Sequence, residues 1–302
     1  MQRLYAFIFA VAAPVIALTV SPAFSGGSPW LPAPGSGDIS LSYTYQTADE
    51  FYRNTTKVPT PGNVGEELVQ HTTYLEVRYG LLDQLALDGR IGYAQGHYGF
   101  DPSRGNGAIS DKSPDGLADV NLGLTYRLLD ETITENPLLP SLAIRIGGII
   151  AGDYESGDIN SIGDGGDGFE VSGLAGKFFG DMSAVSSEFG YRTRTDGIPD
   201  NLFLNLSGGI ILFDRLGLNI SYQRVDTPWS SFDIGDPGFS PVTGVFPELK
   251  EEMELIGGGF HLAITDTINL GFQYATVIEG RNTAASDVFS VSLGYAFDTY
   301  AF

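Results

Sequence analysis

The chain has 302 residues, with 37 Asp plus Glu against 16 Lys plus Arg, a formal net charge of −21, 40 Gly and no Cys. So negative a chain has little to offer phosphates, which excludes a nucleic-acid partner, and the lack of cysteine removes disulfide scaffolds, thiolate metal sites and thiol chemistry. A mean hydropathy of +0.02 is too low for a bundle of membrane helices and too high for an acidic disordered chain.

The first 25 residues have the layout of a secretory signal peptide. Arg3 is followed by an apolar run from Leu4 to Val20, and the small residues Ala23 and Ser25 precede a cut ahead of Gly26. The run is marginal for spanning a membrane, and the Ser, Pro and Gly after it lack a basic flank, so it is read as cleaved. Loss of Arg3 moves the net charge from −21 to −22. No second apolar stretch of about 18 or more residues follows. A mature chain that enters a membrane must then do so with strands, and only a closed barrel leaves no backbone edge unpaired in lipid. The expected organisation is a signal peptide over 1–25, a periplasmic N-terminal segment over 26–36 and an outer-membrane barrel over 37–302.

From Gly37 onward the apolar period is two. Ile39, Leu41, Tyr43 and Tyr45 alternate with polar residues, as do Leu85, Leu87, Ile91 and Tyr93, and then Val120, Leu122, Leu124 and Tyr126. The pattern continues through Leu142, Ile144 and Ile146, through Val185, Phe189 and Tyr191, and through Leu202, Leu204, Leu206, Ile210 and Leu212. Leu216, Leu218, Ile220 and Tyr222 follow, then Ile268, Leu270, Phe272 and Tyr274, and finally Val291, Leu293, Tyr295 and Phe297. Three further strands, near 69–80, 169–180 and 252–264, have no clear register, the middle one because Lys177 adjoins Phe178 and Phe179. The total is about twelve strands of about 11 residues, the length of a tilted transmembrane strand.

If the first strand rises, the links at its far end are about 48–68, 98–115, 153–168, 195–200, 226–250 and 279–285. Those at the near end are 81–83, 128–140, 180–183, 213–215 and 265–267. Long links gather at one end and tight turns at the other, with 128–140 the exception. This asymmetry is expected of an up-and-down antiparallel transmembrane barrel and not of a secreted sandwich. Tyr43, Tyr93, Tyr191 and Tyr222 fall late in rising strands and Tyr79, Tyr126 and Tyr295 late in falling ones, as two headgroup belts would.

The stretch DGLADVNLGLTYRLLDE, Asp115 to Glu131, followed by PSLAIRIGGIIAGDY, Pro140 to Tyr154, resembles the MetA-pathway phenol-degradation family of outer-membrane proteins. Asp115, Gly116 and Asp119 match the family's D-G-x-x-D strand start, and Gly152 and Asp153 its later Gly-Asp. The family usually carries Pro-Thr before that Gly-Asp, where this chain has Ile150-Ala151. The resemblance covers about 40 residues and implies a small transporter-type barrel. It implies little about the solute.

With the apolar rows facing lipid, Glu76, Arg78, Asp88, Arg90, Arg127, Arg145, Glu188, Arg192 and Arg194 face the lumen. About twelve strands spaced about 4.8 Å and tilted about 40° give a backbone diameter of roughly 24 Å, of which side chains leave about 10 Å. The lumen charges either form a constriction that sorts solutes or pair with one another to stiffen the wall. The acidic loop residues Asp153, Glu155, Asp158, Asp164 and Asp167 could hold Ca²⁺, although Gly165 and Gly166 break the EF-hand spacing, and a solvated loop is the competing reading. No other cofactor is indicated. Aromatics of the 226–250 loop (Trp229, Phe232, Phe239 and Phe246) either fold inward or pack on themselves. His71, His97 and His261 stand on separate strands without a catalytic motif, and His97 near Ser103 is a crude hydrolase candidate at most. The C-terminal row ends at Phe297, so the last strand either stops there or extends to Phe302.

The sequence thus leads to a non-enzymatic outer-membrane channel for small, hydrophobic or aromatic solutes, whose partners are outer-membrane lipid, the solute and the barrel-assembly machinery. The alternatives are a plugged structural or adhesion barrel acting through its acidic loops, and a lipid-modifying enzyme. Oligomeric state is open.

Overall fold

The computed structural model describes residues 26–59, 67–98, 113–134, 136, 138–154, 161–229, 231–237 and 249–299. Its strands are β1 (Ser36–Ala48), β2 (Glu50–Arg53), β3 (Thr56–Pro59), β4 (Leu68–Leu82), β5 (Leu85–Tyr98), β6 (Asp115–Leu117), β7 (Val120–Leu129) and β8 (Ser141–Ile150). They continue as β9 (Gly168–Phe179), β10 (Ser183–Arg194), β11 (Asn201–Leu212), β12 (Leu216–Asp226), β13 (Glu252–Ala263), β14 (Ile268–Arg281) and β15 (Asp287–Asp298).

Each long strand pairs antiparallel with its neighbour in sequence, β15 returns to pair with β1, and β1 pairs with β4, which pairs with β5. The sheet is therefore a closed ring of twelve strands: β1, β4, β5 and β7 to β15. The three-residue β6 pairs with β5 above β7. Strands β2 and β3 form a separate hairpin within the first far-end link. Closure removes the sheet edges that a sandwich would keep.

The near-end links are short because their turns are tight. In the link between β11 and β12, Phe213 and Asp214 both take positive φ, 53° and 58°, the pattern of a two-residue turn whose twist matches the flanking strands. The Arg215 amide donates to the Leu212 carbonyl at 3.3 Å. The three strands of unclear register are placed as β4, β9 and β13, and β9 turns Glu170, Ser172, Leu174 and Phe178 inward. At the C-terminus β15 ends at Asp298 and Thr299 donates its amide to the Gly35 carbonyl at 2.8 Å, so the strand passes Phe297 by one residue. Residues 300–302 lie outside the described residues.

The distribution of apolar surface is inverted relative to a water-soluble protein. Leu41, Leu122, Phe189, Ile220, Phe272 and Leu293 are exposed on the outer wall, while Arg145, Glu170, Glu188 and Arg192 are buried inside it. Exposing so much contiguous apolar surface is tolerable only where the surrounding solvent is hydrocarbon. Headgroup-level tyrosines make polar contacts at both rims. At the far rim Tyr222 donates to Glu254 at 2.9 Å and Tyr274 to Asp287 at 2.7 Å, and at the near rim Tyr126 donates to Gln84 at 3.1 Å. Ile220 stands mid-strand with 71% exposure. Ile220→Arg should cost about 2–4 kcal/mol if that position meets the bilayer midplane, read by urea unfolding in liposomes. A change within about 0.5 kcal/mol would mean that the outer wall faces water.

Candidate functional site

The inner rows of the twelve strands divide into two walls. Strands β4 to β10 carry the charges. Strands β11 to β15 and β1 carry mostly small or neutral groups such as Asn205, Ser207, Asn219, Gln223, Gln273, Ser290, Ser40 and Thr44, with Asp38 on β1 reaching across to Arg78.

All nine charged residues expected in the lumen lie on the inner face, and each has a polar partner. On the charged wall Arg145 forks onto Asp88, with Nε and Nη2 at 3.0 and 2.6 Å, and pairs through Nη1 with Glu170. Glu170 also takes two donors from Arg192, at 2.9 and 3.1 Å. Glu188 accepts from Ser172 at 2.7 Å and Asn205 at 3.1 Å. Arg78 pairs with Asp38 at 2.9 Å, and Arg90 with Glu76 at 3.3 Å while lying 3.6 Å over the Tyr74 ring. Arg127 pairs with Asp130 at 2.9 Å at the near rim. The charges therefore form a hydrogen-bonded ladder that stiffens the wall, with every one but Glu188 in an ion pair. Arg145, Glu170 and Arg192 are each only 1% exposed, which would not hold in a water-filled bore at their level.

Residues 26–34, part of the 26–36 segment expected on the periplasmic side, run inside the barrel. The Gly27 amide donates to Glu188 Oε2 at 3.2 Å. The Trp30 ring packs 4.7 Å from Phe178 and beside Ala184 and Ile211, and its indole N–H donates to Glu131 Oε1 at 3.1 Å. Glu131 also accepts from the Phe178 amide and pairs with Lys177 at 2.9 Å. This explains the one long near-end link, between β7 and β8: it delivers the carboxylate that anchors the segment.

At the far end, the two motif elements on which the family resemblance rests meet in space. Asp119 accepts from the Gly152 amide at 3.1 Å, from the Tyr154 hydroxyl, and from Arg194 at 2.8 Å. Gly152 and Gly116 permit that closure, because a Cβ on Gly152 would fall 1.9 Å from the Leu117 carbonyl and one on Gly116 2.5 Å from that of Asp153. The Gly165 amide donates to the Tyr154 hydroxyl at 2.7 Å, which ties the 151–167 link across the mouth. Burial and then the Asp119 charge raise the Tyr154 pKa above its ordinary value, so the hydroxyl stays a donor. Tyr154→Phe should cost about 1.5–3 kcal/mol, the worth of a hydrogen bond to a charged group, and should speed proteolytic nicking of the link. An unchanged nicking rate would contradict the clamp.

Two of the acidic loop residues are used as structural acceptors, while Asp153 is exposed. Asp164 pairs with Arg194 at 3.1 Å and Asp167 accepts from the Ala151 amide at 3.0 Å. Glu155 and Asp158 lie outside the described residues. Among the described residues no group of three or more His, Cys, Asp or Glu is placed to hold a metal.

Sequence reasoning missed an apolar collar inside the far half of the barrel. Tyr52 of the β2–β3 hairpin enters the mouth and packs on Leu255, Ala275, Val277 and Val288, with Met253 beside them. Its hydroxyl donates to the Ile278 carbonyl at 3.0 Å. Phe203 with Val225, and Tyr74 with Ala94, Ala118 and Ile162, continue the apolar lining. Of the loop aromatics, Trp229 is 53% exposed with its edge to Tyr191, and Phe239 and Phe246 lie outside the described residues. The three histidines stay apart: His71 meets Tyr43 at 2.6 Å, His261 meets Gln273 at 2.8 Å, and His97 meets Ser113 at 3.1 Å on the exposed rim. Ser103 lies outside the described residues.

No family model matches the chain, and no curated protein matches it. Its fold is similar to that of the COG4313 outer membrane channel from Pseudomonas putida F1, with a TM-score of 0.68 and 17% identity over 91% of this chain and 100% of that one. It is also similar to the NanC porin, with a TM-score of 0.52 and 5% identity over 85% of this chain and 98% of that one. At such identities the likeness is one of fold.

Proposed function

We propose that the chain is exported, assembled into the outer membrane by the barrel-assembly machinery, and acts there as a non-enzymatic facilitator for small neutral solutes, hydrophobic or aromatic in character. The apolar collar carries this reading. A bore for ions or sugars gains from polar lining along its length, whereas Phe203, Val225, Leu255, Val277 and Val288 would offer buried apolar contact to a solute that displaces Tyr52 from them. Below the collar the charged residues other than Glu188 are spent on one another, which leaves little field to select an ion. The fold likeness to an outer membrane channel supports the same reading.

The second reading, a structural barrel acting through its loops, draws on the segment 26–34 inside the lumen. Soaking crystals with bromobenzene separates the two. The channel reading expects a bromine anomalous peak in the far half of the lumen against Phe203, Val225 or Leu255. Bromine found only on the lipid-facing wall would count for the structural barrel.

A further inference from the structure

We propose that the α-ammonium group created when the signal peptide is removed is a working part of the lumen, docking beside Glu188 and supplying the cation that the charge lattice lacks. The inference rests on the export reading of residues 1–25 and is independent of which solute passes.

Ion pairs join Asp88 and Glu170 to Arg145 and Arg192, and Glu188 stands beside them on β10, held by the Ser172 hydroxyl. Three carboxylates face two guanidinium groups. Asp88 and Glu170 hold both arginines, and among the described residues Glu188 has no lysine or arginine within ion-pair distance. It is 3% exposed and its partners are the Ser172 hydroxyl, the Asn205 amide and the backbone N–H of Gly27. A carboxylate so buried without a cation is costly. The residue next to Gly27 is Gly26, the expected first residue of the mature chain, so the new terminus lies one residue from the amide already bound to Glu188. Hydrolysis of the Ser25–Gly26 bond by water leaves a carboxylate on the departing Ser25 and a protonated amine on Gly26. That amine brings the lattice to three positive charges against three negative ones.

The fit is steric as well as electrostatic. A Cβ on Gly27 would fall 2.7 Å from both Arg145 Cδ and Leu174 Cδ2, so the residue after the new terminus is packed as a glycine in this slot. Processing and closure become one event: the N-terminal segment is latched by its charge only after the leader has gone.

The test uses the full chain, purified from outer membranes of a host that processes its natural leader. Intact mass should place the first residue at Gly26. A water-soluble amine-acetylating reagent, followed by mass spectrometry of the N-terminal peptide, should modify the α-amine at least about tenfold more slowly in the folded barrel than in the heat-unfolded chain, as expected for a charge-assisted contact in a dry site. Glu188→Gln should restore fast labelling, whereas Asp181→Asn in a near-end turn should not. Heat-modifiable gel mobility confirms that each barrel is folded. An alanine inserted ahead of Gly26 leaves the wall untouched and should expose the amine as Glu188→Gln does. A mature chain that begins elsewhere, fast labelling of the native amine, or slow labelling in both variants would overturn the proposal.

Discussion

Deleting residues 26–34 should raise the single-channel conductance of the reconstituted barrel by roughly an order of magnitude, because a packed chain is comparable in width to the about 10 Å bore and conductance follows open cross-section. The segment fills the lumen beside the charged wall: Gly27 sits against Glu188, and Trp30 against Phe178, Ala184 and Ile211. The barrel itself does not depend on it. Strand β1 begins at Ser36, and Gly35 keeps its hydrogen bonds to Gly80 and Thr299. Heat-modifiable mobility should therefore persist in the deletion while current through planar bilayers increases. Unchanged conductance in a folded deletion variant would mean that the bore is closed elsewhere, the Tyr52 collar and the 151–167 link being the places to look.

The largest stability effect is expected at Arg145. Its guanidinium lies between Asp88 and Glu170, is 1% exposed, and is tied to Arg192 through Glu170. Arg145→Met takes from Asp88 its ion-pair partner in a dry wall and leaves Glu170 with Arg192 alone. Breaking a buried ion pair on one side costs about 3–5 kcal/mol, far more than the pair's net worth when both sides are replaced. Urea unfolding in lipid, followed by gel mobility, should show a loss of that size. Adding Asp88→Asn, with Glu170 kept as the partner of Arg192, should recover much of it, since the charge left behind and not the missing contact makes the cost. If Arg145→Met alone shifts stability by less than about 0.5 kcal/mol, water reaches the lattice and the wall is not dry.

The barrel was legible in the sequence because its two strongest signals are local. Alternation such as Leu216, Leu218, Ile220 and Tyr222 fixes which face meets lipid, and the clustering of long links at one end fixes the topology without knowledge of a single contact. Charges on the inner parity could be named for the same reason. Their meaning could not. Whether Arg145 lines a pore or braces a wall depends on the register that sets it beside Asp88 on β5 and Glu170 on β9, and β9 was the strand whose alternation Lys177, Phe178 and Phe179 confuse. Glu170 was missed on that account.

The plugging segment was invisible for a different reason. Glu188 and Gly27 are 161 positions apart, and no periodicity links an irregular stretch to the strand that receives it. Tyr52 likewise lies on a short hairpin whose own alternation says nothing of where it packs. The anomaly that could have pointed inward was the long near-end link at 128–140, since a turn longer than closure requires is a turn that delivers something, here Glu131 to Trp30.

The central claim is that the lumen passes small neutral apolar solutes. Its most direct test is flux across vesicles whose outer leaflet is lipopolysaccharide, a barrier that phospholipid alone does not present to such molecules. The account expects the barrel to accelerate entry of a small neutral aromatic well beyond that of an anionic sulfonate of the same size, and deletion of 26–34 to narrow that preference by admitting both. Equal entry of the neutral solute into vesicles with and without the barrel would contradict it.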